Sequence, residues 1–430
     1  MKRFLILITF SLATAAQAQT TLAFRQALQR AVEVNNTIER ARAEIGVAEA
    51  NKQLLLSNVL PRITASGNMT RNSAGVTFGE GADEQTVLSR NDWSYRVVLS
   101  QPVFAGRREL RAYSQAKIGI NNARQAELGT EDAVILRVAS NYLAMVNADA
   151  RIGIEKLNIE LSERRRAQST AFFEAGEVTK VDVLRAETAI KAAQRALAFA
   201  VQNHEAAESR LRADLDLDGA IVAAAPEEPL PAMPDEPALV AKAESVRPDV
   251  ALAANNLRIA ELEIQKQRGY WLPTVTVDGG WINQKTQFPV SRYSYGALRF
   301  TVPLLQSGEV EARVATAKSR ELQARIDLDT AKVNAREDVR QALASLRAAE
   351  TSLGLAKEQL AFAEAEYAQA FELYRAQEAT SLDLASSETS LAEARRAVAE
   401  ESLNRDLAAL RVWYASGAMR EALNVGVPPT

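Results

Sequence analysis

The chain has 430 residues, a formal charge of −3, one histidine and no cysteine. Near-neutral charge leaves no electrostatic footprint for nucleic acid. Without cysteine there can be no disulfide, no thiolate metal site and no lipid anchor on an N-terminal cysteine, and one histidine excludes a histidine-rich metal site.

Residues 1–18 read as a secretory signal. Lys2-Arg3 is the charged start, Phe4 to Ala13 the apolar core, and Ala16-Gln17-Ala18 the cleavage site. The mature chain is expected to begin near Gln19. The apolar core is too short to cross a bilayer, and no other apolar run reaches about 18 residues.

Leu22 to Asn58 has the three-and-four spacing of an amphipathic helix (Ala27, Ala31, Ile38, Ala41, Ile45, Ala48). Leu60-Pro61 is expected to end it. Period two follows: Ile63, Ala65, Gly67 and Met69 alternate with Arg62, Thr64, Ser66, Asn68 and Thr70. Asn72 to Asn91 is polar and glycine-rich and reads as an exposed loop. In a second strand Trp93, Tyr95, Val97 and Leu99 share a face, and Pro102 is expected to end it. Each strand has about ten residues, the length of a tilted membrane strand.

Gly106 to Glu174 holds no proline and is patterned as helix, roughly 100 Å if continuous. A turn at 174–182 intervenes, and helix resumes from Lys180 to about Leu215. Residues 216–237 are acidic, carry five prolines and read as a linker.

The pattern then starts again. Ala238 to Gly269 is helical, and Leu272-Pro273 repeats Leu60-Pro61. Strand three sets Val275, Val277, Gly279 and Trp281 against Thr274, Thr276 and Asp278. Strand four sets Gly296, Leu298, Phe300 and Val302 against Tyr295, Arg299 and Thr301, and ends at Pro303. Helix is predicted from Glu309 to Phe371, a second turn over 375–383, and helix from Leu382 to about Ala415. The tail, 418–430, ends in Pro428-Pro429-Thr430 and is expected to fray. The halves are thus 19–215, with its β-hairpin at 61–102, and 238–417, with its β-hairpin at 273–303.

The two turns carry the internal repeat. At an offset of 201, Ala175/Ala376, Glu177/Glu378, Thr179/Thr380, Asp182/Asp383, Glu187/Glu388 and Thr188/Thr389 are identical, and Phe173/Tyr374 is an aromatic match. Ahead of the strands the offset is 212. The 11-residue difference falls in the strand loops and makes the first the longer.

A heptad seam runs through the second long helix as Leu346, Leu353, Leu360, Tyr367 and Tyr374, with Ala342, Ala349, Ala356, Ala363 and Ala370 as a second seam. Seven-residue spacing implies left-handed supercoiling against a partner helix. His204 occupies such a position, with Arg405 as its counterpart, and reads as a structural polar residue. No serine–histidine–acid set, phosphate loop or metal motif appears, and Gly79-Glu80-Gly81 is too weak to count.

Four strands cannot close a barrel, since closed barrels begin near eight. An open sheet in lipid would leave unpaired backbone groups at several kcal/mol each. The fold expected is mainly α with a small β part: long helical hairpin coiled coils plus four transmembrane β-strands per protomer. Three copies would give a twelve-stranded barrel continued by a helical one.

On these features the chain resembles the TolC family of outer-membrane efflux proteins. The resemblance covers nearly all of the mature chain. It is carried by Leu22–Ala31 with Asn35, Arg247-Pro248-Asp249, the two Leu-Pro strand starts, the Gly176…Asp182-Val183-Leu184 turn, and the order and duplication of these pieces. It implies a homotrimer in outer-membrane lipid whose helical tunnel projects into the periplasm. The implied partners are an inner-membrane transporter and a periplasmic adaptor, in a tripartite efflux or type I secretion system with no cofactor. It implies a gate at the tips.

By that resemblance Asp182 and Asp383 match acidic tip positions, and Asp383 fits an entrance ring that selects cations. The family's second acid is Ser386 here, a basic residue before the second tip is Ala379, and the counterpart of Gly176 is Gln377. Tyr374 opens the second tip. The alternative for both aspartates is that they start the return helices, where acids suit the helix dipole. Trp93, Tyr95 and Trp281 are read as interfacial girdle aromatics, with ordinary strand packing as the alternative. Arg299 is expected to face the lumen. Two rival readings are a periplasmic adaptor, which would show one hairpin set in soluble β-domains, and a structural coiled coil, which leaves the apolar strand faces unexplained. An enzyme finds no site in the residue inventory.

Overall fold

The structure, a computed structural model, describes residues 20–79, 81, 84–224, 231–286 and 290–425. The signal segment, Glu80, Pro226, Pro229 and the Pro428-Pro429-Thr430 tail lie outside the described residues. The chain is mostly helical with a small β portion and divides into two compact units, one of residues 1–39, 130–246 and 335–430, the other of 40–129 and 247–334. Among the described residues no helix is long and apolar enough to cross a membrane.

The second unit holds a four-stranded antiparallel sheet of β2 (Arg62–Arg71), β5 (Asn91–Ala105), β7 (Thr274–Gln284) and β8 (Arg292–Thr301), in that spatial order. Paired residues share a face, so the register sorts the side chains. Ile63↔Leu99↔Gly279↔Gly296 and Ala65↔Val97↔Trp281↔Ser294 lie on one face, with Met69↔Trp93 at one end and Val277↔Leu298 towards the other. Arg62↔Ser100↔Asp278↔Ala297 and Thr64↔Val98↔Gly280↔Tyr295 lie on the opposite face. The alternation seen in the sequence thus becomes one apolar and one mostly polar face.

Pro102 does not end its strand. The β5 strand runs on to Ala105, because a register shift between Pro102 and Phe104 absorbs the missing donor. The expected exposed loop at 72–91 also contains structure: β3 (Val76–Phe78) pairs antiparallel with β4 (Gln85–Leu88). Where the strands give way to helix, two backbones nearly touch. A Cβ on Gly106 would lie 2.1 Å from the Gly269 carbonyl oxygen, and Gly106 has φ +62°. Beside them the guanidinium carbons of Arg108 and Arg313 sit 4.3 and 4.6 Å from the Tyr270 ring centroid.

Both helices expected ahead of the strands are broken in two. The first is α1 (Phe24–Val34) and α2 (Asn36–Ser57). Asn35 between them is extended; its side-chain oxygen accepts from Thr37 N at 3.1 Å, and its amide donates to the Asp214 carbonyl at 3.3 Å. The other is α5 (Glu236–Val246) and α6 (Pro248–Arg268). Proline drives the preceding Arg247 out of helical geometry and then serves as the first residue of the next helix.

The first unit holds the core. All the largest fully buried side chains belong to it, among them Tyr142, Leu28, Ile38, Met145, Leu211, Leu384 and Met419. Two hairpins are built from α3 (Arg108–Glu174) with α4 (Lys180–Leu215), and α7 (Glu309–Arg375) with α8 (Ser381–Ala415). The α7 helix outlasts its expected end at Phe371. Within this unit its seam is buried or half-buried throughout, from Leu346 to Tyr374.

The linker is not all loop. Its residues Ile221–Ala223 form β6, parallel to β1 (Thr20–Leu22). The Tyr142 hydroxyl lies 2.8 Å from the Leu22 carbonyl and 2.7 Å from that of Ala224, which ties this small sheet to α3. A short helix, α9 (Met419–Leu423), follows the last long one.

Candidate functional site

The two hairpin turns are the densest set of polar contacts among the predicted site residues. Each ends its first helix with a left-handed residue, Gly176 at φ 81° and Gln377 at φ 64°. The bonding is the same in both. Gly176 N donates to Phe173 O at 3.0 Å and Glu177 N to Phe172 O at 2.9 Å; Gln377 N donates to Tyr374 O at 3.1 Å and Glu378 N to Leu373 O at 2.8 Å. This is the Schellman arrangement, in which a residue without Cβ is favoured. No side chain would crowd a Cβ at Gly176, so its requirement is one of backbone conformation. Gln377 meets the same requirement at a cost of about 1–2 kcal/mol.

Both predicted aspartates are capping residues. Asp182 Oδ2 accepts from Thr179 N at 3.3 Å and Thr179 Oγ1 at 3.0 Å. Asp383 Oδ2 accepts from Thr380 N at 3.0 Å and Thr380 Oγ1 at 2.6 Å, while Asp383 N donates to Thr380 Oγ1 at 3.2 Å. Aspartate takes the place of the usual glutamate in both caps; the second is reciprocal through the Thr380 hydroxyl, whereas Asp182 N donates to the Thr179 carbonyl at 3.0 Å. Both carboxylates lie in the first turn of the return helices, the place given by the alternative reading of the sequence. Hydrogen bonding from Ser381 and then Thr179 holds Asp182 below its ordinary range, and bonding from Thr380 does the same for Asp383.

The tips are also tied to each other. Ser381 Oγ donates to Asp182 Oδ1, and Gln377 Nε2 donates to Glu177 Oε2. One step along the helices, Ser169 Oγ and Tyr374 Oη lie 3.0 Å apart, and the Phe172 and Tyr374 rings meet edge-on at 5.5 Å. Tyr374 is buried, whereas Ser386 is exposed and makes no tie.

Behind the tips lies a charged lock that the sequence reading missed. Arg165 and Glu388 pair at 3.0 Å, both nearly inaccessible. Arg396 bonds both oxygens of Glu155 at 2.7 Å. Burial pushes Glu388 up to about 7 against the pull of Arg165. The Glu187/Glu388 identity marked the position, but nothing local in the sequence said that only one of the two would be buried. His204 Nε2 sits 3.1 Å from Asp149 Oδ1.

In the sheet, Trp93, Tyr95 and Trp281 all stand on the apolar face, and the Trp93 and Tyr95 rings are 5.3 Å apart. Met69, Leu298 and Phe300 on that face are 79%, 71% and 70% exposed in the single chain. The other face carries Asp278, which accepts from Ser100 Oγ at 2.7 Å and pairs with Arg299 at 3.3 Å. Arg299 thus lies opposite the apolar face.

Known proteins share this fold. BepC, an outer membrane efflux protein of Brucella suis biovar 1 (strain 1330), is 20% identical over 408 residues, covering 94% of this chain and 87% of its own. A membrane protein from Pseudomonas aeruginosa superposes with a TM-score of 0.79 at 18% identity, covering 91% of this chain and 90% of its own. The MtrE outer membrane channel of Neisseria gonorrhoeae, solved in its open state, superposes with a TM-score of 0.75 at 20% identity, covering 92% and 89%. The profile of one family matches residues 27–215 and 239–418, most of the chain. The chain belongs to the outer membrane efflux protein family.

Proposed function

We propose that three copies of this chain close their sheets into one twelve-stranded barrel in the outer membrane, and that the helical hairpins continue it as a duct into the periplasm. The observation that carries this reading is the sheet. It has one apolar face, strands of 10–15 residues, and two edges, β2 and β8, with no neighbour among the described strands. In lipid such edges must be paired, and twelve is an even number within the range of such barrels. The apolar face then meets lipid, with Trp93, Tyr95 and Trp281 as interfacial aromatics, and Arg299 with Asp278 lines the lumen. The two halves act as a twofold repeat within each protomer. A signal peptide over residues 1–18 exports the chain.

The duct passes substrates from an inner-membrane transporter across the periplasm and outer membrane, with a periplasmic adaptor as the third component. An adaptor role for this chain itself is disfavoured by the paired β-hairpins. The tips form the gate. Gly176 and Gln377 set the two turns, Tyr374 and the Asp182–Ser381 bond hold the hairpins together, and Asp383 with Ser386 narrows the entrance.

Native mass spectrometry in detergent should give three copies per particle; one or two would end the barrel reading. For the gate, Asp383→Asn keeps the capping acceptor and removes the charge. It should weaken block by divalent cations in planar-bilayer conductance, and unchanged block would remove Asp383 from the entrance.

A further inference from the structure

We propose that the polar face of the sheet favours anions over cations, so that the cargo leaving through the barrel carries carboxylate or phosphate groups. The proposal rests on the barrel reading above, in which this face lines the lumen, and it adds what that lining selects.

Alternation along the four strands puts few charges on this face. They are Arg62 on β2, Asp92 and Arg96 on β5, Asp278 on β7 and Arg299 on β8, three arginines against two aspartates. Both aspartates are engaged. Asp92 lies at the loop end of the sheet, opposite Thr70, and accepts from Thr286 Oγ1 at 3.3 Å. Asp278 is buried; Oδ1 accepts from Ser100 at 2.7 Å, and Oδ2 meets Arg299 at 3.3 Å.

The arginines stay open. The Arg299 side chain is 74% exposed in spite of its pair with Asp278. Arg62 and Arg96 are exposed and have no hydrogen bond or ion pair among the described residues. The residues facing them in register are Ser100 for Arg62, and Ser66 and Ile282 for Arg96, none of them charged. A purely structural arginine would be held by an acid or a carbonyl, and neither of these two is.

The positive charges stand at two levels. Arg96 is four residues along β5 from Ser100, the partner of Arg62, or about 13 Å at the rise of a strand. Arg299 pairs with Thr276, two residues beyond the row that joins Arg62, Ser100, Asp278 and Ala297. Between the levels, Thr64, Val98, Gly280 and Tyr295 make one uncharged row. The Tyr295 ring lies against Gly280, where a Cβ would collide with it, so the ring follows the wall.

Arg62 and Arg299 belong to the two edge strands and lie at the same end of the sheet. When the barrel closes, β8 of one copy runs beside β2 of the next, and these arginines form a ring. Rings of arginine favour anions, and fixed charge on a low-dielectric wall raises the local concentration of the opposite ion. The planar guanidinium matches carboxylate and phosphate, which sets the class of cargo. Two open levels in series let an anion enter and leave again.

Reversal potentials across planar bilayers in a KCl gradient read the selectivity. All variants are compared on Asp383→Asn, so that this tip carboxylate does not contribute. Arg62→Gln with Arg96→Gln should lower the ratio of chloride to potassium permeability roughly twofold or more. Lysine at both positions should keep the ratio, and Asp278→Asn should raise it. The change should be larger in 0.1 M salt, where fixed charge acts over about 10 Å, than in 1 M, where it acts over about 3 Å. A ratio that the glutamine pair leaves unchanged, or that lysine lowers as far as glutamine, would overturn anion selection while the duct stands. Single copies by native mass, or no channels in the bilayer, would instead remove the barrel itself.

Discussion

At the scale of single residues, the two tips test how much a backbone conformation is worth. Gly176→Ala places a Cβ on a left-handed residue and should cost about 1–2 kcal/mol. Gln377→Gly removes that strain but adds freedom to the unfolded chain, so its gain should stay under about 1 kcal/mol. Thermal unfolding of the two variants should therefore move in opposite directions; a shift of the same sign would contradict the shared turn geometry. Glu388 gives a second test. Its folded pKa of about 7 lies above the ordinary 4.5, so the folded state binds the proton more tightly than the unfolded one. Stability is then greatest below about pH 4.5 as far as this group is concerned, and falls as pH rises towards 7. The loss is on the order of 3 kcal/mol. Glu388→Gln should flatten that part of the profile of melting temperature against pH, and an unaltered slope would show that another group is responsible.

At the scale of elements, long runs were easy to read and short interruptions were not. The heptad spacing from Leu346 to Tyr374 located α7 because a buried stripe must recur with the helix. The breaks at Asn35 and Arg247 leave little trace because alanine-rich patterns continue on both sides, and a one-residue change of backbone leaves the periodicity almost intact. Pro102 illustrates the converse: proline ordinarily stops a strand, but a bulge allows this one to continue to Ala105. The β3–β4 hairpin was hidden by its polar, glycine-rich composition. Among the described strands it pairs only with itself, and the β2–β5 register continues to Arg71↔Asn91. Replacing residues 73–89 by a short turn should therefore leave membrane insertion intact, as measured by outer-membrane fractionation. Loss of insertion would mean that the hairpin is part of the wall.

At the scale of the whole molecule, a single chain exposes a sheet face that is apolar from Val277↔Leu298 to Met69↔Trp93 and turns polar at Asn283↔Arg292; in the proposed barrel, lipid covers the apolar part. Adjacent residues give the sharpest contrast. Val97 stands on the apolar face and Val98 on the other. On the proposed barrel, Val97→Arg should impair membrane assembly, since arginine facing lipid costs about 2–4 kcal/mol at mid-depth, whereas Val98→Arg at the same depth should be tolerated. Equal effects on the amount of protein recovered in the outer-membrane fraction would refute the assignment of faces.

The sequence by itself determined the large periods: two long helical hairpins, two lipid-length strand pairs, and the order in which they occur. Those are local matters, since spacing along the chain decides which side chains share a face. Only the tertiary structure decided that β5 and β7 join the two strand pairs into one sheet, that β1 reaches β6 in the supposed linker, and that Glu388 is buried against Arg165 while Glu187 stays in solvent. Each of these depends on segments about 170 or more residues apart meeting in space, and repeated local patterns give identical signals at positions whose surroundings differ.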